Sequence, residues 1–159
     1  MDEKSKILIT NKTLLQGKRK AEHELYEYTK YEITKRSEFS QCYIAIYEIP
    51  PRKANYPFHF HEVNTEAFYI ISGIGVIETL EGEQKIKAGD IIVCPPKKEG
   101  AHRIVNTSEN ECLTYIDFDT TNSPDLVHYP KSDKVGVIVH NQSSTFFRNE
   151  SQVDYYDGE

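Results

Sequence analysis

Between Glu38 and Asp119, glycine or proline interrupts the chain about every eight to twelve residues. Short segments punctuated in this way predict an antiparallel sandwich or barrel. In Glu38–Ile49, Cys42, Ile44 and Ile46 alternate with Tyr43, Ala45 and Tyr47. Both faces are apolar, so the strand is expected to be covered on both sides, and Pro50-Pro51 ends it because proline donates nothing to a ladder. Asn55–Val63, Ala67–Ser72, Val76–Leu80, Gln84–Lys87, Ile91–Cys94, Ala101–Asn106 and Cys112–Asp119 continue the series. Eleven tyrosines, seven phenylalanines and no tryptophan suit strands. Ala21–Thr29 stays open between a strand and a helical turn. Ser123–Glu159 departs from the pattern, with one further strand expected at Val135–His140. At 159 residues with no repeat, the chain is expected to form one all-β domain.

Pro57–Gly73, PFHFHEVNTEAFYIISG, carries the chemistry. Residues i and i+2 of a strand share a face, so His59 and His61 project their imidazoles to one side. If the chain doubles back after Asn64-Thr65 as a neighbouring strand, Glu66 brings a carboxylate to the same place. His102 is the fourth candidate, on a strand where Ile104 and Asn106 share its face. Imidazoles with a carboxylate suit a borderline divalent metal better than calcium or magnesium. His23, His128 and His140 lie outside this pattern and read as surface or tail histidines.

From Asn55 to Asn106, about a third of the chain, the sequence resembles the cupin superfamily. The first cupin motif runs His-x-His, a short gap, Glu, six residues and Gly, which His59, His61, Glu66 and Gly73 match; Lys53-Ala54-Asn55 stands where a leading glycine is usual. The second is matched by Gly89, Pro95, Gly100, His102 and Asn106. Its Pro95–His102 loop is one residue longer than usual, with the glycine moved toward the histidine. The resemblance implies a small cupin-type double-stranded β-helix, a jelly-roll barrel that is often dimeric. It also implies one divalent transition metal per chain (Fe, Mn, Ni, Zn or Co) held by His59, His61, Glu66 and His102. The expected layout is an N-terminal extension at 1–37 with an edge strand, a barrel core at 38–120, and a C-terminal extension at 121–159 that packs on the barrel or a partner subunit.

Cupins include dioxygenases, isomerases, epimerases, decarboxylases, storage proteins and sugar- or effector-binding modules, so the resemblance speaks to fold more than to reaction. Parity puts Phe68 and Ile70 beside Glu66 and Ile104 beside His102, which predicts an apolar pocket. Its polar candidates are Gln41, Tyr47 and Asn106, with Tyr43 and Tyr115. No second acid or base on a ligand strand stands out, which weighs against an epimerase or isomerase. The leading expectation is a metal-dependent oxygenase acting on a small organic molecule. The alternatives are a non-catalytic small-molecule-binding cupin and a sugar-phosphate isomerase-like protein, the latter favoured by the basic Lys97-Lys98 loop.

Nineteen basic against 25 acidic residues give a net charge of -6, and no DNA-binding helix pair is evident, so no nucleic-acid partner is expected. No apolar run follows Met1–Lys6, the pattern of a cytoplasmic chain without signal peptide or membrane anchor. Cys42, Cys94 and Cys112 form no CxxC pair and read as buried thiols. The aromatic pairs Phe146-Phe147 and Tyr155-Tyr156, in an otherwise polar tail, predict a homodimer. Lys6–Thr10 or Phe39–Ile49 and part of the tail are the expected contacts.

Overall fold

A computed structural model of the chain describes residues 7–36 and 41–159. The described residues form thirteen strands in antiparallel pairs. β1 (Gly17–His23) and β2 (Tyr26–Glu32) make a hairpin, which resolves Ala21–Thr29 as strand, turn and strand. β3 (Cys42–Ile49), β4 (Phe60–His61), β5 (Glu66–Ser72), β6 (Ile74–Thr79), β7 (Gly82–Lys87), β8 (Ile91–Cys94), β9 (His102–Asn106) and β10 (Leu113–Thr120) follow. The expected β3 extension to Glu38 falls partly on residues outside those described. The tail adds β11 (Asp125–Tyr129), β12 (Lys134–Ile138) and β13 (Thr145–Arg148), two more than the sequence suggests. β11 escapes notice because apolar side chains occupy both of its faces at Leu126 and Val127.

The strands build a six-stranded sheet, β1-β2-β3-β10-β5-β8, a four-stranded sheet, β13-β12-β11-β4, and a three-stranded sheet, β7-β6-β9. The two smaller sheets are stitched edge to edge at the histidines. His59 N–H donates to the His102 carbonyl at 3.1 Å and His102 N–H returns to His59 at 2.9 Å. The expected long strand over Asn55–Val63 therefore contracts to this bridge and β4. Tyr47, Ile49, Phe68, Ile70, Leu113 and Tyr115 from the large sheet meet Ile77, Ile86 and Ile104 from the other layer in one core. Burying each aliphatic or aromatic side chain there contributes about 1.5–3 kcal/mol.

Alternation decides what faces inward. Tyr43, Ala45, Tyr47 and Ile49 of β3 are buried, as are Leu113, Tyr115, Asp117 and Asp119 of β10. The inward row of β10 thus turns from apolar to acidic along its length. Gly73 permits the β5–β6 turn: its φ is +89° and a Cβ there would stand 2.5 Å from the Cys112 carbonyl oxygen. Of the three cysteines expected to be buried, only Cys94 is; Cys42 and Cys112 are exposed. Among the described residues no helix is long and apolar enough to cross a membrane.

Candidate metal centre

Glu66, the first residue of β5, reaches from the large sheet toward three imidazoles on the facing layer. It does not arrive by a hairpin from β4, as the sequence reading supposed. β4 pairs with β11, while β5 pairs with β10 and β8. Glu66 Oε2 lies 3.5 Å from both His59 Nε2 and His102 Nε2, and Oε1 lies 3.6 Å from His61 Nε2. The ligand atoms of His59, His61 and Glu66 are all within 4.8 Å of one another. Such a cluster of N and O donors is a group that can hold a metal ion.

The opposite edge of each ring is fixed by an acceptor. His59 Nδ1 donates to the Pro57 carbonyl at 2.8 Å, and His102 Nδ1 to the Gly100 carbonyl at 2.9 Å. His61 Nδ1 donates to Asp125 Oδ2 at 2.5 Å. A proton held on Nδ1 leaves the Nε2 lone pair facing the cluster. Among the described residues, His102 Nε2 is buried with no hydrogen-bond partner. That orphaned acceptor fits a metal ligand.

The Pro95–His102 loop explains how the longer spacing still delivers His102. Lys98–Gly100 is a turn of 3-10 helix, and Lys97 enters it at φ +72°. Lys97 N–H is tied to the His61 carbonyl at 2.6 Å, so the extra residue is absorbed against the neighbouring ligand strand. Position 100 must be glycine because a Cβ would lie 1.8 Å from the Pro95 oxygen.

Burial opposes charge on Glu66, yet the imidazoles of His61, His102 and His59 outweigh it and hold the carboxyl below its ordinary range. Burial pushes His102 down to about 4, keeping it neutral. For His61 burial acts in the same sense, but Glu66 and Asp125 prevail and raise it. Asp125 is held low despite burial by its bonds from His61 and Asn64.

A cavity of about 270 Å³ opens beside the cluster, lined by His59, His61 and Glu66. Asp117, Asp119, Arg36, Tyr47, Tyr56 and Tyr129 complete most of its wall. Asp119 is the cross-strand partner of Glu66 in the β10–β5 register, which turns its side chain toward the same interior. Asp117 and Asp119 are only 5 % and 2 % exposed. Burial, then the neighbouring Asp119, pushes Asp117 well above the usual carboxylate range. Burial and Glu66 push Asp119 up to about 6, against the Arg36 guanidinium bonded to it.

Residues 45–117 match the family described as the cupin domain. These residues are a cupin domain. No curated protein matches the chain. The barrel is similar to a solved structure from Acidithiobacillus ferrooxidans assigned by name as a sugar phosphate isomerase. Its TM-score is 0.78 at 21 % identity, covering 92 % of this chain and 95 % of that one. A sugar phosphate isomerase of the cupin superfamily from Silicibacter pomeroyi gives 0.78 at 15 %, over 94 % and 98 %. The polyketide cyclase RemF from Streptomyces resistomycificus gives 0.63 at 15 %, over 76 % and 84 %. At these identities the likeness is one of fold.

Within the cupin barrel, Tyr47 lines the cavity, as its sequence position suggests. Phe68 is buried between the rings of His102 and Tyr115, at 5.4 and 5.5 Å. Ile70 and Ile104 are fully buried in the core behind the ligands. Asn106 Nδ2 donates to the carbonyls of Ile49 and Glu111, both at 2.8 Å, so it clamps the end of β9. Gln41 is exposed at the start of β3, away from the cavity lining. The pocket wall is largely apolar, as expected, and the ligand strands add no further acid; the carboxyls come from β10, as Asp117 and Asp119, with Arg36, Tyr56 and Tyr129 beside them and Asp125 behind His61. The parity of β10 was the available signal for the two aspartates, because Leu113 and Tyr115 are plain core residues and share their face.

Proposed function

We propose that this cupin is a metal-dependent enzyme that moves a proton on a small hydroxy-carbonyl compound, an isomerase-class reaction. The observation that carries the reading is the pair of buried carboxyls, Asp117 and Asp119, on the same cavity as His59, His61 and Glu66. His59, His61, Glu66 and His102 would hold one divalent transition ion (Fe, Mn, Ni, Zn or Co). When bound, such an ion supplies Lewis-acid polarisation of a substrate oxygen.

The remaining work falls to side chains. Asp119, its Oδ2 tied to Arg36, takes a proton from carbon next to the substrate carbonyl onto Oδ1. Asp117, kept protonated by burial, donates its proton to the substrate carbonyl oxygen; it then takes the proton of the neighbouring hydroxyl while Asp119 returns its proton to the former carbonyl carbon. Among the described residues, both Oδ1 atoms are buried without a hydrogen-bond partner. A carboxyl raised toward neutrality suits this exchange, because it can both take and give a proton at working pH. Tyr47 and Tyr56, whose hydroxyls are 3.0 Å apart, orient substrate hydroxyls. The isomerase names of two proteins with a similar fold are in keeping with this reading.

Metal-loaded protein incubated in deuterium oxide with a panel of aldoses, ketoses and their phosphates tests it by NMR. The expected result is deuterium incorporation next to the carbonyl of at least one compound. In Asp119→Asn this falls at least a hundredfold while metal content stays unchanged. No exchange across the panel, together with oxygen consumption by the iron-loaded protein, would replace the isomerase with the oxygenase that the sequence favours.

A further inference from the structure

A second cavity, of about 380 Å³, adjoins the metal cavity through Arg36, Tyr47 and Tyr56, which line both. Its outer wall adds Lys30, Lys35 and Glu32. Among the described residues, Lys30, Lys35 and Arg36 face one lining carboxylate, Glu32, with Asp119 bonded to Arg36 on the inner side, although the chain as a whole carries a net charge of -6. A local reversal of sign over a small concavity concentrates anions there.

Two of the cations, Lys30 and Arg36, are held in place by neighbours. The Arg36 guanidinium lies 4.7 Å over the Tyr43 ring and is anchored from below by Asp119. Lys30 Nζ stands 5.5 Å over the same ring and 3.2 Å from Glu32 Oε2. The Lys30 and Arg36 side chains are 24 % and 33 % exposed, so water screens them only partly. A guanidinium has five N–H donors in a rigid fork, and holding one carboxylate oxygen leaves donors for a second anion. A tetrahedral dianion with several acceptor oxygens uses such a fork and two ammonium groups together, which a single carboxylate cannot do.

The geometry points to a phosphoryl subsite formed by Lys30, Lys35 and Arg36, which makes the substrate a small phosphorylated hydroxy-carbonyl compound. This rests on reading the 270 Å³ cavity as the reaction site. The phosphoryl group sits in the outer cavity, the carbon chain passes the Tyr47 and Tyr56 hydroxyls, and the reacting end reaches Asp119 and the histidines.

The test uses the full chain stripped of metal by a chelator, so that phosphate cannot bind through an ion. Calorimetry and phosphorus NMR follow inorganic phosphate, with acetate at equal ionic strength as the second arm. The expected result is saturable phosphate binding that acetate does not match. It weakens at least tenfold in Lys30→Gln/Lys35→Gln and to a smaller degree in Arg36→Lys. Circular dichroism and the ion content of the reloaded variants serve as the check on folding. Phosphate binding that is absent, or equally strong in the folded double variant, overturns the subsite. Acetate binding as tightly as phosphate overturns the phosphoryl assignment. The His61→Ala/Glu66→Gln protein should still bind phosphate, so failure of the metal-centred reaction would be seen separately from failure of this subsite.

Discussion

Asp125 shows how much one side chain outside the ligand set can decide. It accepts from His61 Nδ1, from Asn64 Nδ2 at 2.7 Å and from the Val63 amide at 3.2 Å. Ring orientation and the basicity of His61 Nε2 both pass through that contact. Asp125→Asn is predicted to weaken metal affinity by about 10–100-fold, read by competition with a chromogenic chelator. Replacing His61 and His102 together with alanine should abolish stoichiometric binding. Asn106→Ala supplies the contrast: it strands the carbonyl of buried Ile49 and releases that of Glu111, and should cost about 1–3 kcal/mol in denaturant unfolding while leaving ion affinity unchanged.

Two elements settle where the ligands stand. The Lys98–Gly100 turn fixes His102 from one side, because the Gly100 carbonyl accepts its Nδ1 proton. Gly100→Ala forces a Cβ onto the Pro95 oxygen, and the backbone must yield. Overpacking of this kind costs roughly 1–3 kcal/mol. The prediction is a lower melting temperature for the metal-free protein together with weaker metal binding, measured on the same sample. The other element is β11, which pairs Val127 with His61 and so places Asp125 behind the ligand and Val127 and Tyr129 in the cavity wall. β11 of the C-terminal extension thus joins the barrel beside β4. Its aromatic pairs divide: Phe146 packs on Tyr129, with ring centres 6.0 Å apart, whereas Tyr155 and Tyr156 meet each other and stay exposed.

At the scale of the whole molecule, the outer face of the large sheet is apolar across several strands. Phe118, Ala67 and Val93 are successive cross-strand neighbours, as are Ile116, Tyr69 and Ile91. Ile91 and Val93 are 74 % and 63 % exposed. A contiguous patch of this kind on a small barrel marks an association surface. The homodimer expected from the tail aromatics is here predicted to form mainly through this face. Light scattering should give twice the 18.4 kDa chain mass, and Ile91→Lys/Val93→Lys should halve it. A wild-type mass of 18.4 kDa would overturn the assembly.

The sequence by itself determined which side chains share a strand face, because side-chain direction follows from a local period of two. That is why His59 with His61, Glu66 with Phe68 and Ile70, and His102 with Ile104 and Asn106 are legible in the sequence. Strand partners are another matter, since pairing joins residues far apart in the chain and many registers satisfy the same alternation. Only the tertiary structure decided that β10 lies beside β5 with Asp119 opposite Glu66, and that β11 lies beside β4 with Asp125 bonded to His61. The same holds for the titration of Asp117 and Asp119, whose displacement comes from burial and from charges brought close only by folding. The donors were local and could be read; the acids beside them were made by long-range register and desolvation.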